Sequence, residues 1–358
     1  MIDLKILAPT NIKFFGDLHP FKKWDKQLLE AGIRTEIYFD HKNKNLLKAD
    51  CVLLHHRYFN HNWKNAVDTA TDEESEFVKY LSKLKQNAGK LLWYDADDSS
   101  GSTQLPVIPF VDVFVKKQVL KDKSYYTGSP NEKRNLMIWA EKDAVQKQFI
   151  PCNEAYVDKI KVGWNIAYID YRDFVVHYRL RQYLSYFLSY DLFPYKYTDV
   201  ASNRKYDITF RGTINYSSNA ASVQRNKVLE LFKTLSYNLA SGGSINRSRY
   251  LKEINNSKIG ISPFGLGEIC FRDFETFIGG SLLIKPSMEH LETFPNLYIP
   301  NETYLPVSWD LSDLENTLEK VVLNYSEYEH IAKNGQDLFK KTINDPEIFI
   351  KAIKRLIN

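Results

Sequence analysis

Cysteine is scarce in this sequence, whose 358 residues include only Cys51, Cys152 and Cys270. Three widely spaced cysteines exclude a disulfide framework and the closely spaced pairs of a structural zinc site. Buried, reduced thiols are the simplest interpretation, and they predict a cytoplasmic protein.

Long apolar runs are also missing. The first ten residues, MIDLKILAPT, lack the apolar stretch of a signal peptide. No run approaches the roughly 20 residues of a membrane-spanning helix. We therefore expect no membrane span.

Charge of one sign is not concentrated anywhere. The 48 basic and 44 acidic residues leave a net charge of +4, with no dense Lys/Arg block. This balance predicts that nucleic acid is not a partner. The small positive excess suits anionic small ligands or a peripheral contact with the inner membrane.

Strand patterns and amphipathic helix patterns alternate along the first third of the chain, as in βαβ units of a parallel sheet. A second alternating series starts near residue 205, after a tyrosine-rich middle region. We predict an α/β fold with two Rossmann-like, doubly wound domains, residues 1–200 with a connector and residues 201–345. Strands are predicted at 4–9, 34–39, 50–56, at the start of 90–101 before an acidic loop, and at 111–117, 205–213, 259–264 and 281–286. Helices are predicted at 21–33, 72–89, 173–193, 222–237, 248–258, 312–325, 328–343 and 346–357.

An unusual density of charge lies between two apolar runs, in the segment ISPFGLGEICFRDFETFIGGSLLIK at 261–285. Gly265 and Gly267 begin a dinucleotide fingerprint, but a cysteine replaces its third glycine. The segment also comes late in the second domain, whereas the fingerprint belongs to a first βα turn, so a nicotinamide enzyme is disfavoured.

A helix over 268–278 would place Glu268, Arg272 and Glu275 on one face. Its N-terminus would follow the glycine turn directly and would suit a phosphate group. The alternative is a row of salt bridges that faces solvent and has no ligand.

The succession of a strand, a Gly-x-Gly loop, a glutamate-bearing helix and Gly279-Gly280 before another strand resembles the donor-binding segment of GT-B glycosyltransferases. It is most similar to bacterial enzymes of capsule and surface-polysaccharide synthesis. Many members carry two glutamates here. Alignment places Glu275 at the second glutamate, which implies ribose binding, and Gly267 at the first. Glu268 comes one residue late, so its role stays open, as does retention or inversion.

The resemblance implies further features. Two domains face a cleft, the second binds the nucleotide-sugar, the first binds the acceptor, and the segment 346–358 packs back on the first domain. With basic residues around the diphosphate, no metal and no other cofactor is required. Donor-site candidates are Arg211, Gly212, Gly265, Gly267, Arg272 and Lys285 near the phosphates, Glu275 at the ribose, and His290 and Thr293 at the sugar or base.

Carboxylates that follow the strand pattern at residue 90 are candidates for acceptor activation. Asp97 and Asp98 stand where a general base would take the acceptor's proton. The same loop permits a Mg²⁺ site or a simple loop cap. Asp17 and His19, after the first strand, are further candidates for the base, with helix initiation as the alternative. Glu268 completes the set of catalytic candidates.

The sequence therefore predicts a glycosyltransferase that moves a sugar from a nucleotide-sugar donor to a glycan or lipid-linked acceptor in surface-polysaccharide synthesis. Two alternatives stay open. One is a nucleotide-sugar epimerase of the same architecture, which needs no acceptor. The other is a nucleotide- or glycan-binding module without catalysis.

Overall fold

The computed structural model describes residues 1–10, 16–59, 72–101, 104–128, 150–165, 188, 195–212 and 219–358. The helix predicted at 173–193 lies outside the described residues, apart from Leu188. Within the described chain, no helix is both long enough and apolar enough to cross a lipid bilayer.

Six parallel strands form the first sheet. Their bounds are β1 Ile2–Leu7, β2 Ile33–Tyr38, β3 Cys51–His55, β4 Lys90–Asp95, β5 Val113–Lys116 and β7 Ile160–Val162. They lie in the order β2-β1-β3-β4-β5-β7, and β3, β4 and β5 are almost wholly buried, as expected for the centre of a parallel sheet. Because β2 and β3 flank β1 on opposite sides, the strand order reverses between β1 and β3.

Five parallel strands form the second sheet. Their bounds are β8 Tyr206–Arg211, β9 Leu239–Gly242, β10 Ser257–Ile261, β11 Leu282–Pro286 and β13 Leu305–Val307. They lie in the order β13-β11-β10-β8-β9. The order reverses between β8 and β10, so this sheet also has a switch point of the kind at which ligands bind in such folds. The short β13 lies in a segment whose sequence pattern is that of a loop.

The helices of the described chain surround these sheets. They are α1 His19–Lys23, α2 Asp25–Glu30, α3 Asp72–Asn87, α4 Ser124–Thr127, α5 Asn219–Phe232, α6 Arg247–Ile254, α7 Phe271–Gly279, α8 Leu314–Leu323, α9 Tyr325–Asn344 and α10 Pro346–Ile357.

Several contacts hold the two halves of the molecule together. Strand β6 (Gln118–Leu120) pairs in antiparallel fashion with β12 (Leu291–Thr293), which comes from the second half. Phe349 of α10 packs on Phe21, Trp24 and Trp164, with ring centroids 5.0–5.5 Å apart. Phe274 of α7 belongs to the same buried apolar cluster as the first sheet. The apolar core of the first sheet is therefore continuous with the contact between the two halves of the molecule.

Helix α7 corrects one expectation from the sequence. It begins at Phe271 and not at residue 268, because Cys270 is extended (φ −115°, ψ 148°) and its N–H donates to the Asp273 carboxylate at 3.1 Å. Glu268 thus lies outside the helix and shares no helical face with Arg272 and Glu275. Gly280, at φ 64°, ends the helix in the left-handed conformation that favours glycine.

Candidate active site

Charged residues come in groups at the carboxyl ends of the three central strands of the first sheet. His55 and His56 lie at the end of β3, the sequence Asp-Ala-Asp-Asp at 95–98 lies at the end of β4, and Lys116 and Lys117 lie at the end of β5. The parallel register sets Asp95 directly beside Lys116. One edge of the sheet therefore collects histidines, carboxylates and ammonium groups.

A buried ion pair anchors this edge. The Nζ atom of Lys116 lies 2.8 Å from Oδ2 of Asp95, and both side chains are almost fully buried. The same Nζ donates to the carbonyl of Gly101 at 2.9 Å, and the Asp97 N–H donates to Oδ1 of Asp95 at 2.9 Å. These bonds fix the path of the loop that carries Asp97 and Asp98.

The hydrogen bonds of His56 determine which ring nitrogen carries its proton. Its Nδ1 accepts the Ala96 N–H at 2.8 Å, so in the neutral ring Nε2 carries the proton. Nε2 lies 3.5 Å from Oδ1 of Asp97. His56 therefore presents a donor to Asp97.

His55 repeats this arrangement beside Asp17. Its Nδ1 accepts the Arg57 N–H at 3.3 Å, and its Nε2 lies 3.6 Å from Oδ2 of Asp17. Burial lowers the pKa of His55 despite the attraction of Asp17, so the ring is neutral near pH 7. Asp17 comes from the loop after β1, and His55 ends β3. The two residues therefore lie at the switch point of the first sheet.

Lys117 links the carboxylates of this edge. Its Nζ lies 3.0 Å from Asp98 and 3.9 Å from Asp17. Burial opposes ionisation of Asp17, but the charge of Lys117 and the hydrogen bond to His55 outweigh it and lower the pKa of Asp17 to about 2. Asp17 is thus a fixed anion. The side chains of Asp97 and Asp98 are 28% and 48% exposed, so they are the carboxylates that a substrate can reach.

His56, Asp95 and Asp97 also lie close enough together to be considered as metal ligands. The proton on Nε2 of His56 faces the group, and Asp95 is already bound to Lys116. A metal would have to displace both. The hydrogen-bond pattern therefore favours proton transfer over metal binding at these three residues. The expectation that no metal is required stays a prediction.

The switch point of the second sheet carries arginines and glycines. Arg211, at the end of β8, forms a forked ion pair with Glu253 at 2.8 and 3.0 Å. Arg272 donates to the Arg211 carbonyl at 2.6 Å, and its guanidinium lies 4.8 Å from the Phe210 ring centroid. Gly212 follows Arg211 and is buried. Because the guanidinium of Arg211 is occupied by Glu253, Arg272 is the stronger candidate for phosphate binding.

Glu275 takes part in a small polar network on the same side of the sheet. Its two oxygens accept from Nη1 of Arg247 and from the Tyr250 hydroxyl, each at 2.9 Å. Burial and the Glu275 charge raise the pKa of Tyr250, so its hydroxyl stays protonated and donates. The Arg247 side chain is 34% exposed, which leaves the network open to solvent through that residue. Ribose binding by Glu275 stays a prediction.

Lys285 is removed from the phosphate-binding candidates. It is fully buried, and its Nζ bonds the Asp273 carboxylate and, at 2.8 Å, the carbonyl of Glu268. Asp273 also accepts from Ser262 and, at 2.8 Å, from Tyr298. The lysine neutralises a structural carboxylate below the glycine loop.

The glycine loop of the second sheet, which contains Gly265 and Gly267, touches the Asp97–Asp98 loop of the first. A Cβ on Gly267 would lie 1.8 Å from the Asp98 carbonyl oxygen, so only glycine fits there. Glu268 is fully buried, and its carboxylate accepts from the Ser100 hydroxyl at 2.6 Å, the Ser100 N–H at 2.9 Å and Gln118 at 3.1 Å. The carboxyl ends of the two sheets therefore face each other.

The remaining candidates are His290, Thr293 and His19. His290 packs edge-on against Trp309, with centroids 4.5 Å apart, and burial with Lys121 and Lys285 nearby lowers its pKa to about 4. Thr293 lies on β12 and pairs with Gln118 at the strand that joins the halves. His19 is the first residue of α1, and its Nδ1 is buried.

The sequence pattern places His55 and His56 at a strand end and predicts that they are structural or cleft-lining residues. Sequence reasoning missed Lys116 and Lys117, although they also stand at the end of an apolar strand. Parallel strands bring such ends together, so this pair was detectable. Ser100 and Gln118 carried no comparable signal.

Comparisons with known proteins establish the fold. No protein-family model matches the sequence, and no curated protein matches it either. Among solved structures, an α-glucosyltransferase in complex with UDP is 11% identical over 100% of both chains, with a TM-score of 0.51. An α-glucosyltransferase with UDP and a 13-mer DNA containing an HMU base is 9% identical over 99% of both chains, with a TM-score of 0.50. HepE of Anabaena with UDP-glucose is 11% identical over 99% of both chains, with a TM-score of 0.43.

The predicted α/β fold of GT-B type, with two parallel sheets, is confirmed by this full-length similarity. The prediction that nucleic acid is not a partner is wrong. It relied on a balanced net charge, and an α-glucosyltransferase in complex with DNA shares this fold. Phosphate contacts need only a local basic surface, so the charge of the whole chain does not exclude DNA.

Proposed function

We propose that this protein is a glycosyltransferase that uses a uridine diphosphate sugar as its donor. The second domain binds the nucleotide at the switch point between β8 and β10. The first domain binds the acceptor beside Asp97 and Asp98. The proposed boundary between the two domains lies at residues 200 and 201.

One observation carries this proposal: the carboxyl ends of the two sheets face each other, and they offer different side chains. Histidines and solvent-accessible carboxylates lie at the first, whereas Arg211 and Arg272 lie at the second. Arginine suits a diphosphate because it gives charged, forked hydrogen bonds. A carboxylate suits removal of a hydroxyl proton. UDP-bound enzymes of the same fold support this assignment.

Transfer then needs four events. Asp97 takes the proton of the acceptor hydroxyl while His56 donates a hydrogen bond to the Asp97 carboxylate. The hydroxyl oxygen forms a bond to the anomeric carbon of the sugar. The bond from that carbon to the diphosphate breaks, and its electron pair leaves with UDP. Arg272 stabilises the charge that develops on the diphosphate.

The direct test is UDP release from UDP-glucose by the full chain, with and without acceptors. We expect faster release with an acceptor, and we expect Asp97→Asn to lower the rate by about 10²- to 10⁴-fold, the range typical of a general base. Asp158→Asn, a change to an aspartate outside the cluster, serves as the control. Unchanged turnover in Asp97→Asn would contradict the assignment of the base.

The acceptor panel separates the remaining alternatives. We propose a glycan or lipid-linked acceptor of surface-polysaccharide synthesis, with peripheral membrane contact. DNA that contains an HMU base enters the panel because an α-glucosyltransferase in complex with such DNA shares the fold. Conversion of the UDP-sugar without any acceptor would indicate an epimerase. Binding of UDP without turnover on any acceptor would indicate a binding module.

A further inference from the structure

Glu268 crosses from the nucleotide side of the cleft to the acceptor side. It belongs to the loop that follows β10 in the second sheet, yet each bond of its carboxylate goes to the first half of the chain. Oε1 accepts from the Ser100 hydroxyl, and Oε2 accepts from the Ser100 N–H and from Gln118. A carboxylate with three donors is well compensated for its complete burial.

The partners of Glu268 hold the loop that carries Asp97 and Asp98. Gln118 donates to the Asp98 carbonyl as well as to Glu268. The Ser100 carbonyl accepts from the Tyr126 hydroxyl at 2.8 Å. Ser100 is two residues beyond Asp98, so Glu268 is bonded directly to the loop that carries the acceptor-side carboxylates.

The backbone of Glu268 is held on the nucleotide side of the cleft. Its carbonyl accepts from Lys285 at 2.8 Å, and the loop leads within three residues to the start of α7. Arg272, the second residue of that helix, contacts the end of β8. A diphosphate bound at this switch point would therefore meet the same loop that supports Glu268.

We propose that Glu268 is a positioning residue that couples nucleotide occupancy of the second domain to the placement of Asp97 and Asp98 in the first. This inference rests on the proposed function and goes beyond it. Glu268 contacts neither nucleotide nor acceptor. It holds the acceptor-side loop in the geometry for proton removal when the nucleotide site is filled.

Two substitutions separate the coupling from general stability. Glu268→Ala removes all three bonds. Glu268→Gln keeps the shape, and the Ser100 hydroxyl can rotate to accept from the new amide, so all three contacts survive. Glu292→Ala is the matched control, because this carboxylate also lies at the junction of the halves, on β12, but is 45% exposed and pairs with Arg355.

Hydrogen–deuterium exchange with UDP as the probe tests the coupling without an acceptor. In the wild type, UDP is expected to slow exchange at least about fivefold in both 265–272 and 96–101, as expected when a ligand suppresses local opening. In Glu268→Ala it should slow only 265–272, whereas Glu268→Gln and Glu292→Ala should respond as the wild type does. UDP protection of 265–272 alone in the wild type, or equal protection of 96–101 in Glu268→Ala, would overturn the coupling but leave the nucleotide site intact. Absence of protection in both segments would overturn the proposed function as well.

Kinetics provides a second readout, which a purely structural role would not produce. Glu268→Ala is expected to lower kcat for UDP release from UDP-glucose at least about tenfold with KM within about twofold, and Glu268→Gln should restore most of kcat. A rise in KM with unchanged kcat would contradict a positioning role. If Glu268→Ala does not fold, Ser100→Ala replaces it, because this change removes one of the three bonds to the Glu268 carboxylate. The exchange responses of the wild type and of Ser100→Ala then test the coupling.

Discussion

The loops at the facing ends of the two sheets are anchored in the same way, but their carboxylates differ in exposure. In each, a buried lysine from the neighbouring strand pairs with an aspartate and also bonds a loop carbonyl. Lys116 binds Asp95 and the Gly101 carbonyl, and Lys285 binds Asp273 and the Glu268 carbonyl.

The position of the paired aspartate makes the difference. Asp95 ends its strand, so the lysine is satisfied at the start of the loop, and the carboxylates of residues 97 and 98 remain at the surface. Asp273 lies in the helix after the loop, so the loop between is drawn inward and its carboxylate, Glu268, is buried. The same anchoring arrangement thus yields an exposed acidic loop in the first sheet and a glycine-rich, inward-facing loop in the second.

The largest expected effect comes from breaking the anchor of the second loop. Asp273→Ala would leave Lys285 buried without its counter-ion and should lower the free energy of unfolding by about 3–5 kcal/mol. Asp337→Ala, which removes half of an exposed pair with Lys333, should cost less than about 1 kcal/mol. Chemical denaturation of both variants measures the difference, and a loss for Asp273→Ala as small as that of the control would contradict a buried anchor.

The contact between the loops is tested by a single methyl group. Gly267→Ala would place a Cβ 1.8 Å from the Asp98 carbonyl oxygen, and backbone atoms on both sides must move. We expect a loss of about 3 kcal/mol in unfolding free energy. Gly243→Ala is the control, since a Cβ there has no atom within 4 Å. Equal thermal stability of the two variants would show that the loops do not touch.

The histidines provide a third comparison, because those of the first sheet face carboxylates whereas His290 has lysines nearby. Its pKa is lowered to about 4 by burial, Lys121 and Lys285, against an ordinary value near 6.5. The unfolded chain therefore takes up this proton first as the pH falls, so stability is lost between about pH 6.5 and 4. Between about pH 7 and pH 5 the loss from this residue should be about 2 kcal/mol.

His290→Gln should flatten the dependence by that amount in denaturation curves recorded across this range. The variant and the wild type would follow parallel curves if the imidazole were accessible and readily protonated in the folded protein.

The fold was predictable from the sequence because alternating strand and helix patterns dictate a parallel sheet, and two such series dictate two sheets. Asp97 and Asp98 were predictable as a surface pair for the same reason, since they follow a strand end. Helix α7 was misjudged at its start, because the capping of Cys270 by Asp273 overrides the apolar periodicity. The partners of Glu268 were out of reach, since Ser100 is 168 residues away in sequence.

The central claim is that the first sheet supplies the base and the second binds the nucleotide. Titration calorimetry of UDP with the wild type, Asp97→Asn and Arg272→Gln tests it most directly. The account predicts equal dissociation constants, within about twofold, for the wild type and Asp97→Asn. It predicts weakening of at least about tenfold in Arg272→Gln, because a charged hydrogen bond is lost. No heat of binding with the wild type, or equal weakening in both variants, would contradict this division.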